Sequence, residues 1–334
     1  MNPTIRDVAK RANVSVATVS RILNNLTGYS DKTKQKVLQT IEEMGYQPNA
    51  IARSLNNKRT QTIGVLFPLV SSEFSSEILY GIENYAHDNN YSVLVCNTEI
   101  DGTRTLKYLQ LLREKQIDGV IFASETLKDE YYSALQSAQI PVVLVASQSE
   151  RPDVPYVKVD DKQAAYDATR YLIERGHRDI AMISGTKGDP IAGTTRFEGY
   201  LLALHDHGIE YDDELVRYGD FLYESGCEAM KSLLQIKRPL TAVFAASDEM
   251  AIGAITEASR HGMRVPDDIS IIGYDNLRLS SMLIPALTTV HQPLNEMGRI
   301  AAEKLITMVE TGEAVPSSIV PHAIMERQTV KNVI

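Results

Sequence analysis

Residues 15–21, SVATVSR, carry side chains suited to reading hydrogen-bond edges rather than to breaking bonds. Arg21 can make paired hydrogen bonds to guanine, and small apolar Val16 and Ala17 can pack on thymine methyls. Thr18 and Ser20 suit phosphate oxygens, which fix register without reading sequence. Bond-breaking chemistry has no comparable signature: the chain has no HExxH, no nucleophile elbow and no Gly-rich phosphate loop. His205 and His207, spaced i, i+2, would point to different faces of a helix, so they read as a solvated helix end and not a metal pair. Cys96 and Cys227 stand far apart without ligand-spaced neighbours, which points to two reduced thiols. No metal and no cofactor is expected.

The elements that must position these residues are written around them. Thr4 can cap a short helix whose third residue, Asp7, reaches back, with Val8, Ala9 and Ala12 on one face. After a turn at Asn13 and Val14, Ser15 can cap a second helix through Asn24 with Val19, Ile22 and Leu23 inward. Two short helices and a three-residue turn make a helix-turn-helix, whose second helix presents its start and outer face to the major groove. Val14, Val16, Thr18 and Val19 are β-branched and form helix poorly, so the segment must take its shape from packing or from a partner. A third helix is predicted from Ser30 to Met44, with Val37, Leu38, Ile41 and Met44 inward and Gly45 as its stop.

The next stretch, YQPNAIARSLNNKRTQ, holds a helix candidate capped by Asn49 that is only about seven residues long, too short to stand alone in water. Leu55, followed by Lys58 and Arg59, fits a leucine wedged into the minor groove with basic neighbours on the phosphates. Charge agrees. Residues 1–60 hold ten Lys and Arg against four Asp and Glu, a net of +6, while the remainder holds 24 against 39, a net of −15. A basic head on an acidic body suits a nucleic-acid backbone at one end only.

From residue 61 the pattern changes to short β-branched runs alternating with helix-length segments. Strands are predicted at 62–68, 91–97, 119–123 and 142–146, then at 180–184, 215–220, 242–246, 270–274 and 288–292. Such alternation implies parallel sheets wound on both faces, in two similar lobes, with a ligand cleft at the strand carboxyl ends. The fold class is thus a small all-α helix-turn-helix head plus an α/β body of two doubly wound parallel-sheet lobes. The divisions expected are 1–48 for the head, 49–60 for a hinge helix and linker, and 61–334 for the sensor.

TIRDVAKRANVSVATVSRILN with GYQPNAIARSL resembles the DNA-binding head and hinge of the lactose-repressor/galactose-repressor (LacI/GalR) family of bacterial transcription regulators. VPDDISIIGYDN, PALTTVHQP, IERGHRDIAMISG and TAVFAASDEMAIGA extend the resemblance to the family's sensor domain, itself similar to type I periplasmic sugar-binding proteins. The resemblance implies that Thr4, Ser15, Val16, Ala17, Thr18, Ser20, Arg21, Asn24, Asn49, Ala52, Arg53 and Leu55 meet DNA. It implies effector contacts from Phe74, Ser75, Arg196, Phe221, Ser247 and Asp275, with Asp248 as a helix cap. Arg196 fits two adjacent hydroxyls or a carboxylate equally well. Two features depart from simple members. Ala146 stands where many sugar-binding members have Asp or Asn, a trait shared with the catabolite-control branch, which uses a phosphorylated carrier protein as corepressor. Glu303 stands where that branch has an arginine for the carrier, and Arg196 where it tends to have lysine, so a small-molecule effector is favoured.

The chain shows no secretory signal and no apolar run long enough to span a bilayer, so a cytoplasmic address with no membrane partner is expected. No heptad tail follows to build a tetramer seam, which leaves a homodimer on a near-palindromic operator. The implied function is a repressor of carbohydrate-metabolism genes whose operator affinity a sugar or sugar derivative controls. A transporter's solute-binding protein would need export, and a sugar-metabolising enzyme would need a base or nucleophile in the cleft; neither is found.

Overall fold

The computed structural model describes residues 3–23, 26–46, 59–99 and 102–333. Contacts divide the chain into two units, meeting between Thr60 and Gln61. Among the described residues no helix is long and apolar enough to cross a membrane.

In the first unit, α1 (Ile5–Ala12) starts with a full capping box: the Thr4 N–H donates to Asp7 Oδ2 at 2.9 Å and the Asp7 N–H to Thr4 Oγ1 at 3.4 Å. Asn13, at φ 54°, ends the helix in the left-handed region that asparagine tolerates. The Ser15 hydroxyl then accepts the Thr18 N–H at 3.1 Å to open α2 (Val16–Leu23). Ser30 caps α3 (Asp31–Met44), and Gly45 stops it at φ 58°. Val8, Ala9, Ala12, Val19, Ile22, Val37 and Tyr46 form the core, with Val14, Leu23, Ile41 and Met44 packed on its rim. Leu38 departs from the sequence expectation. It lies 45% exposed, and Thr40 is buried in its place, donating its hydroxyl to the Lys36 carbonyl at 2.8 Å. A head this small has one inner stripe per helix, and the stripe through Val37, Thr40, Ile41 and Met44 leaves Leu38 about 100° around the helix from Val37.

The second unit has two six-stranded sheets. The first lobe runs β1 (Thr62–Phe67), α4 (Glu73–Asp88), β2 (Ser92–Asn97), α5 (Thr105–Glu114), β3 (Gly119–Ala123), α6 (Asp129–Ser137), β4 (Val142–Val145) and β5 (Tyr156–Val159). The second runs α7 (Asp161–Glu174), β6 (Ile180–Ser184), α8 (Gly193–Asp206), β7 (Val216–Tyr218), α9 (Tyr223–Leu233), β8 (Ala242–Ala245), α10 (Asp248–Arg260), β9 (Ser270–Asp275), α11 (Arg278–Met282) and β10 (Thr288–His291). The chain then returns: α12 (Leu294–Thr311) and β11 (Ser318–Val320) join the first lobe, and β12 (Ala323–Met325) closes the second. Sheet orders are β11-β5-β4-β3-β1-β2 and β12-β10-β9-β8-β6-β7, parallel except for the β10–β12 pair.

The nine predicted strands all occur, within a few residues of their expected ends; β5, β11 and β12 were not predicted. The chain therefore crosses between lobes three times, after β5, after β10 and between β11 and β12. Strands β3, β4, β6, β8 and β9 are buried along their whole length, as strands covered on both faces must be. The returning helix docks closely. A Cβ on Gly81 of α4 would meet the Asn295 carbonyl at 1.9 Å, and one on Gly298 of α12 would meet the Ile78 carbonyl at 2.1 Å. Reciprocal glycines thus let two backbones touch at the lobe's centre.

Candidate functional site

On the head, Ser15, Val16, Ala17 and Arg21 are exposed while Val19 and Ile22 are buried, so one side of α2 packs and the other faces outward. Thr18 and Ser20 are half-buried. The Ser15 and Thr18 hydroxyls lie 2.9 Å apart, tying both to the start of the helix. Val16 is 41% exposed, an uncovered apolar side chain at a helix start. Asn24, Asn49, Ala52, Arg53 and Leu55 lie outside the described residues.

Between the two lobes of the sensor unit lies a cavity of about 380 Å³. All six residues singled out there border it: Phe74, Ser75, Arg196, Phe221, Ser247 and Asp275. Phe74 and Ser75 come from the first turn of α4, which Ser72 caps by accepting the Ser75 N–H at 3.1 Å. The Ser75 hydroxyl is engaged, donating to the Leu69 carbonyl at 2.7 Å, so it shapes the wall.

Phe221 is held in place from two sides. Its φ of 71° is unusual for an aromatic residue, and the Ser247 hydroxyl donates to its carbonyl at 2.8 Å. The ring lies against Gly185, where a Cβ would meet Phe221 Cζ at 2.0 Å. Ser247 also accepts the Met250 N–H at 3.1 Å as the cap of α10. The cap role expected of Asp248 therefore belongs to Ser247. Asp248 is fully buried and instead accepts the Leu277 N–H at 2.7 Å and the Thr289 hydroxyl. Those bonds fasten the segment after β9 to β10.

Asp275 ends β9 at φ 116°, a conformation costing on the order of 1–3 kcal/mol for a side-chain-bearing residue and common where function demands a fixed direction. Burial pushes its carboxyl up to about 7, against the pull of the Arg196 charge and of the Gln292 hydrogen bond. Arg196, from α8, is buried, with its guanidinium 3.6 Å from the Tyr274 ring centroid and 5.9 Å from that of Phe221. Its Nε donates to Asp161 Oδ1 at 3.0 Å and its Nη1 to the Ala246 carbonyl at 2.6 Å.

Several residues at or behind the cavity were missed from sequence: Glu125, Lys128, Asp189 and Glu249 on its border, and Asp161, Tyr274 and Gln292 behind it. Asp161 follows the cap Asp160 in VDDK and reads as a first-turn acid, which hides its buried role. Ala146, at φ 51°, donates its N–H to the Val157 carbonyl at 2.8 Å and brings no polar side chain towards a ligand. His205 pairs with Asp206, and His207 donates to the Ala203 carbonyl at 2.8 Å, so both serve the end of α8. Among the described residues no three His, Cys, Asp or Glu side chains are grouped to hold a metal ion.

Comparison with known proteins accounts for both units. Residues 4–49 match the family described as bacterial regulatory proteins, lacI family, and residues 60–328 match periplasmic binding proteins and sugar binding domain of LacI family. Catabolite control protein A of Priestia megaterium is 43% identical over 99% of this chain and 100% of that protein. A transcriptional regulator CelR–cellobiose complex aligns with a TM-score of 0.75 at 33% identity, over 98% of this chain and 99% of that one. The lac repressor dimer bound to operator and the anti-inducer ONPF aligns with a TM-score of 0.87 at 28% identity, over 99% and 100%. A helix-turn-helix head and a two-lobed, cleft-bearing body, matched along nearly their whole length by such regulators, make this chain a member of the LacI family of bacterial transcription regulators.

Proposed function

We infer that the chain represses carbohydrate-metabolism genes as a cytoplasmic homodimer on a near-palindromic operator, and that a sugar or sugar derivative in the sensor cleft controls its affinity for DNA. One observation carries this reading: a cavity between two lobes, bordered by two aromatic rings, a buried arginine and a buried aspartate, in a chain whose head exposes Val16, Ala17 and Arg21 on one helix. Residues 1–48 act as the DNA-binding domain, 49–60 as hinge helix and linker, and 61–334 as sensor. Thr4, Ser15, Thr18, Ser20 and Asn24 hold phosphates, Val16, Ala17 and Arg21 read bases, and Asn49, Ala52, Arg53 and Leu55 engage the minor groove.

Effector binding shifts the angle between lobes, and with it the separation at which two hinge helices can form. Effector and operator affinities are then coupled reciprocally. Exposed apolar side chains support the homodimer: Tyr80, Leu94 and Val95 on α4 and edge strand β2, and Leu279, Met282 and Ile284 around α11. The chain is not an enzyme on this reading. The Ser75 and Ser247 hydroxyls are bound to carbonyls, and of the carboxylates bordering the cavity Glu125, Asp189, Asp220 and Asp275 are each held by internal hydrogen-bond donors.

The second reading, corepression by a phosphorylated carrier protein, is favoured by the 43% identity to catabolite control protein A. The face around Glu303 opposes it. Arg299 is held by Glu296 at 2.7 Å and Glu303 at 3.0 Å, so position 303, an arginine in the catabolite-control branch, here carries a carboxylate engaged with a neighbouring arginine. Fluorescence anisotropy with a near-palindromic duplex separates the readings. A change in operator affinity on adding a sugar supports the first, and a change only with the phosphorylated carrier replaces it with the second.

A further inference from the structure

Asp161 is the first residue of α7 and stands behind the cleft wall. Its carboxylate serves two cations at once. Lys158 Nζ lies 3.2 Å from Oδ2 and Arg196 Nη2 lies 2.9 Å from Oδ1, and all three side chains are less than a tenth exposed. The Tyr274 hydroxyl donates to the same Oδ1 at 3.1 Å. Arg196 is therefore ion-paired inside the protein before any ligand enters. Asp161 shares its one negative charge between Lys158 and Arg196, and Asp275 adds a second carboxylate acting on the guanidinium, so two carboxylates stand against two cations and Arg196 offers hydrogen bonds with its charge largely offset.

The rest of the cavity border is acidic. Glu125, Asp189, Asp220, Glu249 and Asp275 contribute carboxylates, against Lys128 as the second cation among the described residues. Four of these carboxylates take hydrogen bonds from neutral donors: Glu125 from the Thr98 and Thr105 hydroxyls, Asp189 from the Ile191, Ala192 and Gly193 N–H groups, Asp220 from the Leu222 N–H, and Asp275 from the Gln292 amide. Such bonds satisfy lone pairs without cancelling charge, while burial raises the Glu125, Glu249 and Asp275 carboxyls, Asp275 to about 7, so the negative charge of the border is fullest above neutral pH. In a cleft walled by protein an incoming anion meets that charge with little screening. A neutral polyol does not, and Phe74 and Phe221 supply apolar faces for its C–H surface.

Building on the reading of the cleft as an effector site, we propose that it accepts polyhydroxy ligands bearing no anionic group, and that Asp161, together with Asp275, sets this selectivity by offsetting the charge of Arg196. Arg196 then works as a donor to hydroxyls and not as a counter-ion, and phosphorylated or carboxylated sugars are rejected. Asp161 is a positioning residue: it acts on the ligand only through the guanidinium it holds.

The test uses the full chain and matched pairs of probes: glucose with glucose 6-phosphate, ribose with ribose 5-phosphate, and cellobiose with cellobionate. Tm is followed in titrations. One neutral member should raise Tm, and its anionic counterpart should not. In Asp161→Asn the anionic member of that pair should bind roughly tenfold or more tighter than it does to the wild type, because Arg196 has lost its counter-ion. Glu249→Gln, which removes a border carboxylate without touching the Asp161 pairs, should move selectivity the same way by a smaller factor, and Lys158→Met, which leaves the Asp161 charge to Arg196 alone, should move it the opposite way and keeps the role of Asp161 testable if Asp161→Asn does not fold. An anionic probe that raises the wild-type Tm, with the effect lost in Arg196→Met, overturns the charge selectivity and leaves the effector reading intact. Silence of every probe, neutral and anionic, overturns both.

Discussion

Gln292 Nε2 donates to Asp275 Oδ1 at 2.7 Å, joining the end of β9 to the crossing that follows β10. The bond fixes the direction of a carboxylate that burial has pushed from 3.8 up to about 7. Between those values the folded chain keeps a proton that the unfolded chain has released, so Asp275 makes stability fall as pH rises towards 7. Above 7 the full cost of the buried charge is present. Asp275→Asn carries no such charge, so its Tm should gain on the wild type as pH rises from about 5 to about 8. A Tm difference that stays constant over that range would remove the buried charge from the account.

Arg21 is exposed on the outward side of α2 and is proposed to read a base. Arg21→Ala should weaken operator binding by about 1–3 kcal/mol and relax preference at one base position. A gel-shift series over operator variants decides this, since a uniform loss would make Arg21 a phosphate contact.

Leu55→Ala should weaken operator binding strongly and leave the sensor's response to sugar intact, because a minor-groove wedge acts only on bent DNA. Equal operator affinity in the variant would remove the wedge.

Thr4 closes a capping box and is also proposed to touch phosphate. Thr4→Ala should destabilise the head by about 0.5–2 kcal/mol through the lost cap alone. Circular dichroism melts of the protein without DNA read that effect free of any phosphate contact, and an unchanged head melt would refute it.

Gly81→Ala forces a methyl group into the Asn295 carbonyl and should cost about 1–3 kcal/mol or more, lowering Tm. Gly45→Ala, where the added Cβ meets nothing within 4 Å and only the positive φ is strained, should cost about 1 kcal/mol. Equal losses would mean that the α4–α12 contact can relax.

Much of this molecule depends on neighbours close in sequence, and that part was legible. The Thr4–Asp7 box, the Ser15 and Ser30 caps and the Gly45 stop each join residues within three or four positions, and the side-chain types name the bond they will make. The long buried strands announce themselves by β-branched runs, and the helix-turn-helix and sensor motifs carry the family. Other features depend on where distant segments meet. Strands β5, β11 and β12 flank the crossings between lobes and take their places from distant partners, β11 finding β5 from far along the chain and β12 pairing antiparallel with β10. Leu38 and Thr40 exchanged their expected places because a single inner stripe had room for only one of them. Asp161 looked like an ordinary first-turn acid until the fold brought Lys158 and Arg196 against its two oxygens. Caps and periods are local and can be read from residue order. The charge state of a cleft is a sum over groups that only tertiary packing brings together, so residue types alone offered Arg196 to hydroxyls and carboxylates alike, and its buried ion pair with Asp161 came into view only in the fold.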